Sequence, residues 1–348
     1  MPATGEPMTA APDRARGGTP PPLYLYVMSR PHSGSTILDM LLGTSPAVMG
    51  CGELTMGFLH RHGWRGEPWR CSCGAEIPAC PVWGRVQALL AADGQEWEEL
   101  AAASLWQAAK ARLPATWWAA TGERAPPRLR RLAGLTDAFV SALRRVTGRP
   151  VILDSSKMAG RGLFLLRTRA ETRLVHIVRD PRNVLASHWW RFAIGDSYLA
   201  RRRLYRGPLA WLAIVEAAAM WTLGNLVFEL VVARDPARAV RIRYEDLRDR
   251  PAAVVEHLGH RLGLDLDEVA ARVRAGEPLA TGHRIGGNWV RAESEVRVSA
   301  EKERSRQPLP MPLELLTVLL CWPLMLRYGY PLRRPARSAG DPVRAGAG

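Results

Sequence analysis

Lysine is nearly missing from this chain: of 348 residues, 48 are Lys or Arg, and only Lys110, Lys157 and Lys302 are lysines. A lysine here therefore asks for a reason. Residues 1 to 22 of the chain are mostly Pro, Ala, Gly and Arg with no apolar stretch, so no secretory signal is expected. Its five cysteines are an odd set, which argues against a disulfide framework and sets the expectation of a reducing, cytoplasmic location. Long uninterrupted hydrophobic runs are absent too. Leu209 to Ala233 contains Glu216, Asn225 and Glu229, and Met311 to Leu326 is short and broken by Pro323. Both read as buried helices, so no membrane span is expected.

What is present is the mix of a soluble globular protein, 47% hydrophobic and 23% charged, with enough chain for a large core. The net charge of +15 favours an anionic partner without choosing among phosphate, sulfate, nucleic acid and an anionic membrane. A GC-rich genome produces the same Arg-for-Lys and Ala bias.

The compositions of residues 1–22 and 333–348 are those of disordered tails, and no linker divides 23–332, which we read as one domain. Short apolar runs at Leu23 to Met28, Val151 to Leu153, Leu174 to Val178 and Val240 to Arg243 are expected to be buried parallel strands. Helical patterns lie between them. The long segments Val82 to Val146 and Phe192 to Val232 are expected to form a helical layer or a lid. The fold class that follows is α/β: a single-domain, P-loop-like open parallel sheet flanked by helices, with helical insertions. In such sheets ligands bind beyond the carboxyl ends of the strands.

Two segments there suit anions. After the first strand comes Ser29-Arg-Pro-His-Ser-Gly-Ser-Thr36 and then an apolar helix. A Gly- and Ser-containing turn opening a helix directs unpaired N–H groups and the positive end of the helix dipole at one point; an ordinary capped turn is the alternative. The loop lacks the Walker lysine, which Ser35 replaces, so a nucleoside triphosphate would be poorly held. The second segment, Val178-Arg-Asp-Pro-Arg-Asn-Val-Leu-Ala-Ser187, sets Arg179 at a strand end. Asp180-Pro181 should start a helix, whose Asn183, Ser187 and Arg191 share one face. These could bind a second phosphate, or be solvated surface groups.

The pairing of P-H-S-G-S-T with V-R-D-P-R-x-x-x-x-S resembles the sulfotransferases that use 3′-phosphoadenosine 5′-phosphosulfate (PAPS), over residues 23 to 304. The resemblance implies that Ser33, Gly34, Ser35 and Thr36 take the donor's 5′-phosphosulfate, and that Arg179, Ser187 and Arg191 take its 3′-phosphate. Tyr244 is similar to a tyrosine near the donor in tyrosylprotein sulfotransferases, or is a core aromatic. His32 stands where the family usually has Lys or Arg, and would be the donor to the leaving group while protonated.

The transfer also needs a base and a cation at the sulfuryl oxygens. Glu53, in Cys51-Gly-Glu53, is expected to be the base, as in a similar segment of tyrosylprotein sulfotransferases; a surface or capping glutamate is the alternative. Lys157 is expected to be the cation, because a chain that fills its surface with Arg has little other reason for a Lys beyond a strand end. His176 is expected to be a core histidine, and His188 is a lesser candidate base.

Cys71, Cys73 and Cys80 are expected to be packed reduced thiols. A disulfide is one alternative; a zinc site completed by Cys51, His60 or His62 is another. No metal is expected to be required for transfer. Gly282 to Arg291 reads as a surface turn or, by the resemblance, as a segment folded over the donor's 3′ end. The 13 Trp residues are core, or in part line an acceptor pocket. The expected acceptor group is a hydroxyl, or an amine, of a small molecule or carbohydrate. The alternatives are a P-loop-type kinase, opposed by the missing lysine, and a basic nucleic-acid-binding protein, opposed by the scatter of Arg and the lack of a recognised motif.

Overall fold

The computed structural model describes residues 22–63, 66–109, 125–193, 209, 211–279, 281–287 and 308–334. The first strand, β1 (Leu23–Ser29), alternates between two interiors because successive strand side chains point to opposite faces. Tyr24, Tyr26 and Met28 join one core with Trp83 and Phe139. Leu25 and Val27 join another with Leu38 and Val255. Burial on both faces is why the strand reads as a nearly continuous apolar run.

The other strands are β2 (Val48–Gly50), β3 (Val151–Lys157), β4 (Thr172–Val178) and β5 (Ala239–Arg243). All pair in parallel, in the order β2-β3-β1-β4-β5. The four expected strands are present. The sequence reading missed β2, whose three residues are too few to show a pattern.

Twelve α-helices of the described residues surround the sheet. Around its first half lie α1 (Ser35–Leu42), α2 (Leu54–Leu59), α3 (Trp83–Ala92), α4 (Trp97–Ala109), α5 (Pro127–Thr147) and α6 (Ala159–Thr168). The second half carries α7 (Pro181–Ala193), α8 (Leu212–Arg234), α9 (Tyr244–Asp249), α10 (Pro251–Leu262), α11 (Asp267–Arg274) and α12 (Met311–Arg327). In α5 the stripe Leu129, Leu132, Leu135, Phe139 and Leu143 faces the core, Pro127 opens the helix and Gly148, at φ 70°, closes it. The helical character expected for Val82 to Val146 is seen in α3, α4 and α5, and that expected for Phe192 to Val232 in α8, while Trp117, Trp118 and residues 194–208 of these two segments lie outside the described residues.

Helices α8 and α12 correct one expectation: each buries a stripe, not its whole circumference. In α8, Trp221, Asn225 and Phe228 face inward, whereas Leu223 and Leu230 are 62% and 69% exposed. By length and composition α8 is the one helix of the described residues apolar enough to cross a membrane. Of the expected tails, only Pro22, Arg333 and Arg334 are described, and Arg334 pairs with Glu314 at 2.7 Å.

Candidate active site

The loop after β1 is shaped by its backbone. Gly34 has φ 87° and precedes α1, a conformation glycine adopts without steric cost. His32 has φ 65° and Lys157 φ 75°, and among the described residues these two alone are non-glycine with positive φ. Such a conformation costs a side-chain-bearing residue about 1–2 kcal/mol and tends to persist at functional sites. Both were expected catalytic groups. Ser33 and Ser35 are buried in the loop, from which α1 opens directly, with the positive end of its dipole at that point.

Tyr244 begins α9 at the end of β5, and its ring lies so close to Gly34 that a Cβ there would sit 2.1 Å from it. Arg179 stacks over the same ring, its guanidinium carbon 4.6 Å from the centroid. Arg179 also donates a hydrogen bond to the His32 carbonyl. The two anion segments therefore adjoin, because β4 is the immediate neighbour of β1, with Ile177 in register with Ser29.

Asp180 caps α7 as expected: its carboxylate accepts from the Arg182 amide at 2.9 Å and from the Arg182 guanidinium at 2.6 Å. The same helix brings the His188 ring edge-on to His32, 4.7 Å between centroids. Ser187, next to it, is half-buried. Arg191 falls in the last turn of α7, with its side chain outside the described residues.

On the other side of β1, β3 carries an extra residue relative to β1 between Tyr26 and Met28. Such a bulge re-aims the strand end. Asp154 accepts from the Tyr24 hydroxyl at 2.9 Å and from the Ser156 amide at 2.9 Å. The Tyr26 hydroxyl accepts from the Met158 amide at 2.8 Å. Burial raises the Asp154 pKa, opposed by nearby Arg161, and this network fixes the turn that projects Lys157. Its Nζ lies 2.6 Å from Oε1 of Glu53, with both side chains mostly buried. The expected base and the expected cation thus meet directly, at the carboxyl edge of the sheet.

Glu53 is positioned by residues that sequence reasoning missed. Asp39, on the inner face of α1, and Arg284 form a wholly buried ion pair at 2.5 Å. The other Asp39 oxygen accepts from the Gly52 amide at 3.1 Å, and the Arg284 guanidinium also donates to the Asp39 carbonyl at 2.8 Å. Desolvation pushes the Asp39 carboxyl pKa up, against the pull of Arg284. The signal available was a lone Asp in the apolar run Ile37-Leu-Asp-Met-Leu-Leu42. The Gly282 to Arg291 segment is corrected in its described part: 284–286 are buried, not a surface turn.

His176 is the core histidine expected, fully buried with Nε2 3.0 Å from the Asn225 side-chain oxygen. The thiols of Cys71, Cys73 and Cys80 converge, but with His283, not with Cys51, His60 or His62.

A parallel sheet with a Gly- and Ser-containing loop after its central strand, and an arginine and a Glu–Lys pair at the same edge, defines an α/β protein of the P-loop-like class. The chain belongs to the sulfotransferase family, whose model matches residues 24–268. Among solved structures it is similar to a sulfotransferase domain from the curacin biosynthetic pathway, at 19% identity and TM-score 0.47, covering 91% of this chain and 100% of that one. It is similar also to the sulfotransferase domain of the Synechococcus PCC 7002 olefin synthase, at 21% identity and TM-score 0.45, covering 89% and 96%. A third likeness is a Mycobacterium tuberculosis sulfotransferase, at 17% identity and TM-score 0.44, covering 73% and 70%. No curated protein sequence matches the chain.

Proposed function

We propose that this sulfotransferase moves a sulfuryl group from PAPS to a hydroxyl of a small-molecule or carbohydrate acceptor, in a reducing, cytoplasmic setting. The observation that carries the reading is the Lys157–Glu53 contact of 2.6 Å beside the anion loop. A base and a cation in contact can serve the two ends of one reacting bond: the acceptor proton and the sulfuryl oxygens.

The donor would lie along the carboxyl edge. Ser33, Gly34, Ser35 and Thr36 would hold its 5′ end, where the approach of Tyr244 to Gly34 leaves backbone amides as the contacts. Arg179, Ser187 and Arg191 would hold the 3′-phosphate, and the Arg179 hydrogen bond to the loop would couple the two ends. Glu53 takes the proton of the acceptor oxygen as that oxygen bonds to sulfur. The bond from sulfur to the phosphate oxygen breaks, His32 donates to that oxygen, and adenosine 3′,5′-bisphosphate leaves. Lys157 turns from Glu53 to the sulfuryl oxygens, freeing the carboxylate to accept a proton.

Thermal shift separates this reading from its rivals. Adenosine 3′,5′-bisphosphate at a hundredfold over its Kd should stabilise the protein by about 2.7 kcal/mol, more than ATP with Mg²⁺ does; a preference for the triphosphate would mean a kinase. DNA binding that fades steeply with salt and is indifferent to nucleotide would favour a nucleic-acid-binding protein. A screen of hydroxylated acceptors with labelled PAPS then identifies the second substrate.

A further inference from the structure

We propose that Cys71, Cys73, Cys80 and His283 bind one structural zinc ion, which ties the loop 71–80 to the segment 281–287 behind Glu53. The four ligand atoms all lie within 4.8 Å of one another. Cys73 and Cys80 sulfurs are 3.8 Å apart. His283 Nδ1 is 3.3 Å from the Cys80 sulfur and 3.8 Å from that of Cys71. A tetrahedral ion with ordinary zinc–sulfur and zinc–nitrogen bonds has edges of about 3.8 Å between sulfurs and about 3.6 Å between sulfur and nitrogen. Three of the six separations lie within about 0.3 Å of those edges.

The competing explanations fit less well. A disulfide needs its sulfurs about 2.05 Å apart and would leave the third thiol and the imidazole unexplained. Apolar packing of thiols does not account for Cys73, which is exposed. A single hydrogen bond to His283 would orient one thiol, not three. With three thiolates and one imidazole the ion has a full tetrahedral set and no open position, so the site is structural. Binding releases the three thiol protons to solvent and leaves a centre of net charge −1.

The local chain is built for such a centre. Cys71 and Cys73 flank a tight turn in which the Gly74 amide donates to the Cys71 carbonyl at 2.9 Å and Gly74 has φ 89°. The Ser72 amide donates to the Arg284 carbonyl at 3.0 Å, and the Arg284 amide donates back to the Ser72 hydroxyl oxygen at 2.8 Å. The Trp83 indole donates to the His283 carbonyl at 2.9 Å. Two residues beyond His283, the Ile285 amide donates to the Cys51 carbonyl at 3.0 Å, and Gly286 packs on the Glu53 backbone. The ion would therefore brace the peptide that presents Glu53, across 203 residues of sequence between Cys80 and His283.

The test is metal analysis of the full-length protein, purified under reducing conditions and reconstituted with zinc; it does not depend on the PAPS reading. About one zinc per chain is expected after gel filtration, falling below about a tenth in Cys73→Ser, while Cys321→Ser, remote from the site, keeps its zinc. Cobalt titrated into wild-type apoprotein should give strong thiolate charge-transfer absorption and tetrahedral visible bands, a readout that survives should the variant fail to fold. Cys73 should resist a thiol reagent until a chelator is added. Zinc-free protein after reconstitution, undiminished zinc in Cys73→Ser, bound iron in place of zinc, or a Cys73–Cys80 disulfide by mass spectrometry would each overturn the proposal.

Discussion

Replacing Glu53 by Gln keeps the size of the side chain and removes both its charge and its ability to accept the acceptor's proton. At 2.6 Å from Lys157, with an effective dielectric constant of about 20, the direct attraction is about 6 kcal/mol. Desolvation offsets most of it, and about 1–3 kcal/mol should remain as the coupling that a double-mutant cycle with Lys157→Met reads in urea unfolding. Turnover is a separate matter. A positioned general base contributes about 10²–10⁴-fold, so Glu53→Gln should slow single-turnover transfer from labelled PAPS by that factor, equivalent to about 3–5 kcal/mol of barrier. Affinity for adenosine 3′,5′-bisphosphate, followed by calorimetry, should stay within about threefold, because that ligand carries no group for Glu53 to act on. Lys157→Met should likewise spare the bisphosphate yet impair transfer, since the partner proposed for the ammonium is the sulfuryl group, which the bisphosphate lacks. A Glu53→Gln enzyme with near-normal turnover would refute the assignment of the base. A parallel collapse of bisphosphate affinity and turnover would show that the pair merely holds the pocket together.

Arg179→Ala removes the guanidinium that stacks on Tyr244 and donates to the loop. Bisphosphate binding should weaken by about 2–5 kcal/mol, and unchanged calorimetric affinity would reject Arg179 as a phosphate ligand. Gly34→Ala places a Cβ 2.1 Å from the Tyr244 ring at φ 87°. The backbone cost of about 1–2 kcal/mol adds to the clash, so the bisphosphate-induced thermal shift should be lost; pairing it with Tyr244→Ala should restore part of it, and a full shift in the single variant would contradict the loop geometry. Burial lowers the His176 pKa to about 4, below the usual value of about 6.5 in an unfolded chain. The unfolded state therefore binds the proton first, and stability present above pH 6.5 is lost as pH falls toward 4, on the order of 2 kcal/mol by pH 5. Urea melts at pH 7 and 5 should show this loss in the wild type and a smaller one in His176→Gln; equal losses would remove His176 as the cause.

How far the sequence reached can be judged residue by residue. The strand β1, the loop Ser29 to Thr36 and the capped start of α7 were legible because each is written in a few adjacent residues whose backbone preferences agree. Lys157 was legible through rarity, a property of the whole composition. Helix α8 was half legible: its apolar length showed burial, but not that Leu223 and Leu230 would face outward. Its hydrophobic residues surround the helix, so their pattern marks no stripe.

Local chemistry along the chain thus determined the elements, the two loops proposed to bind anions and the candidates for base and cation. Only the tertiary structure decided their partners: Glu53 with Lys157 across 104 residues, Asp39 with Arg284 across 245, and His283 with the three thiols. The reason is that side-chain preferences act over a few residues, whereas these contacts depend on which strands become neighbours. Setting β3 and β4 on either side of β1 brings Lys157 and Arg179 to the same edge, and that order is fixed by the burial of both sheet faces together, which no single segment carries.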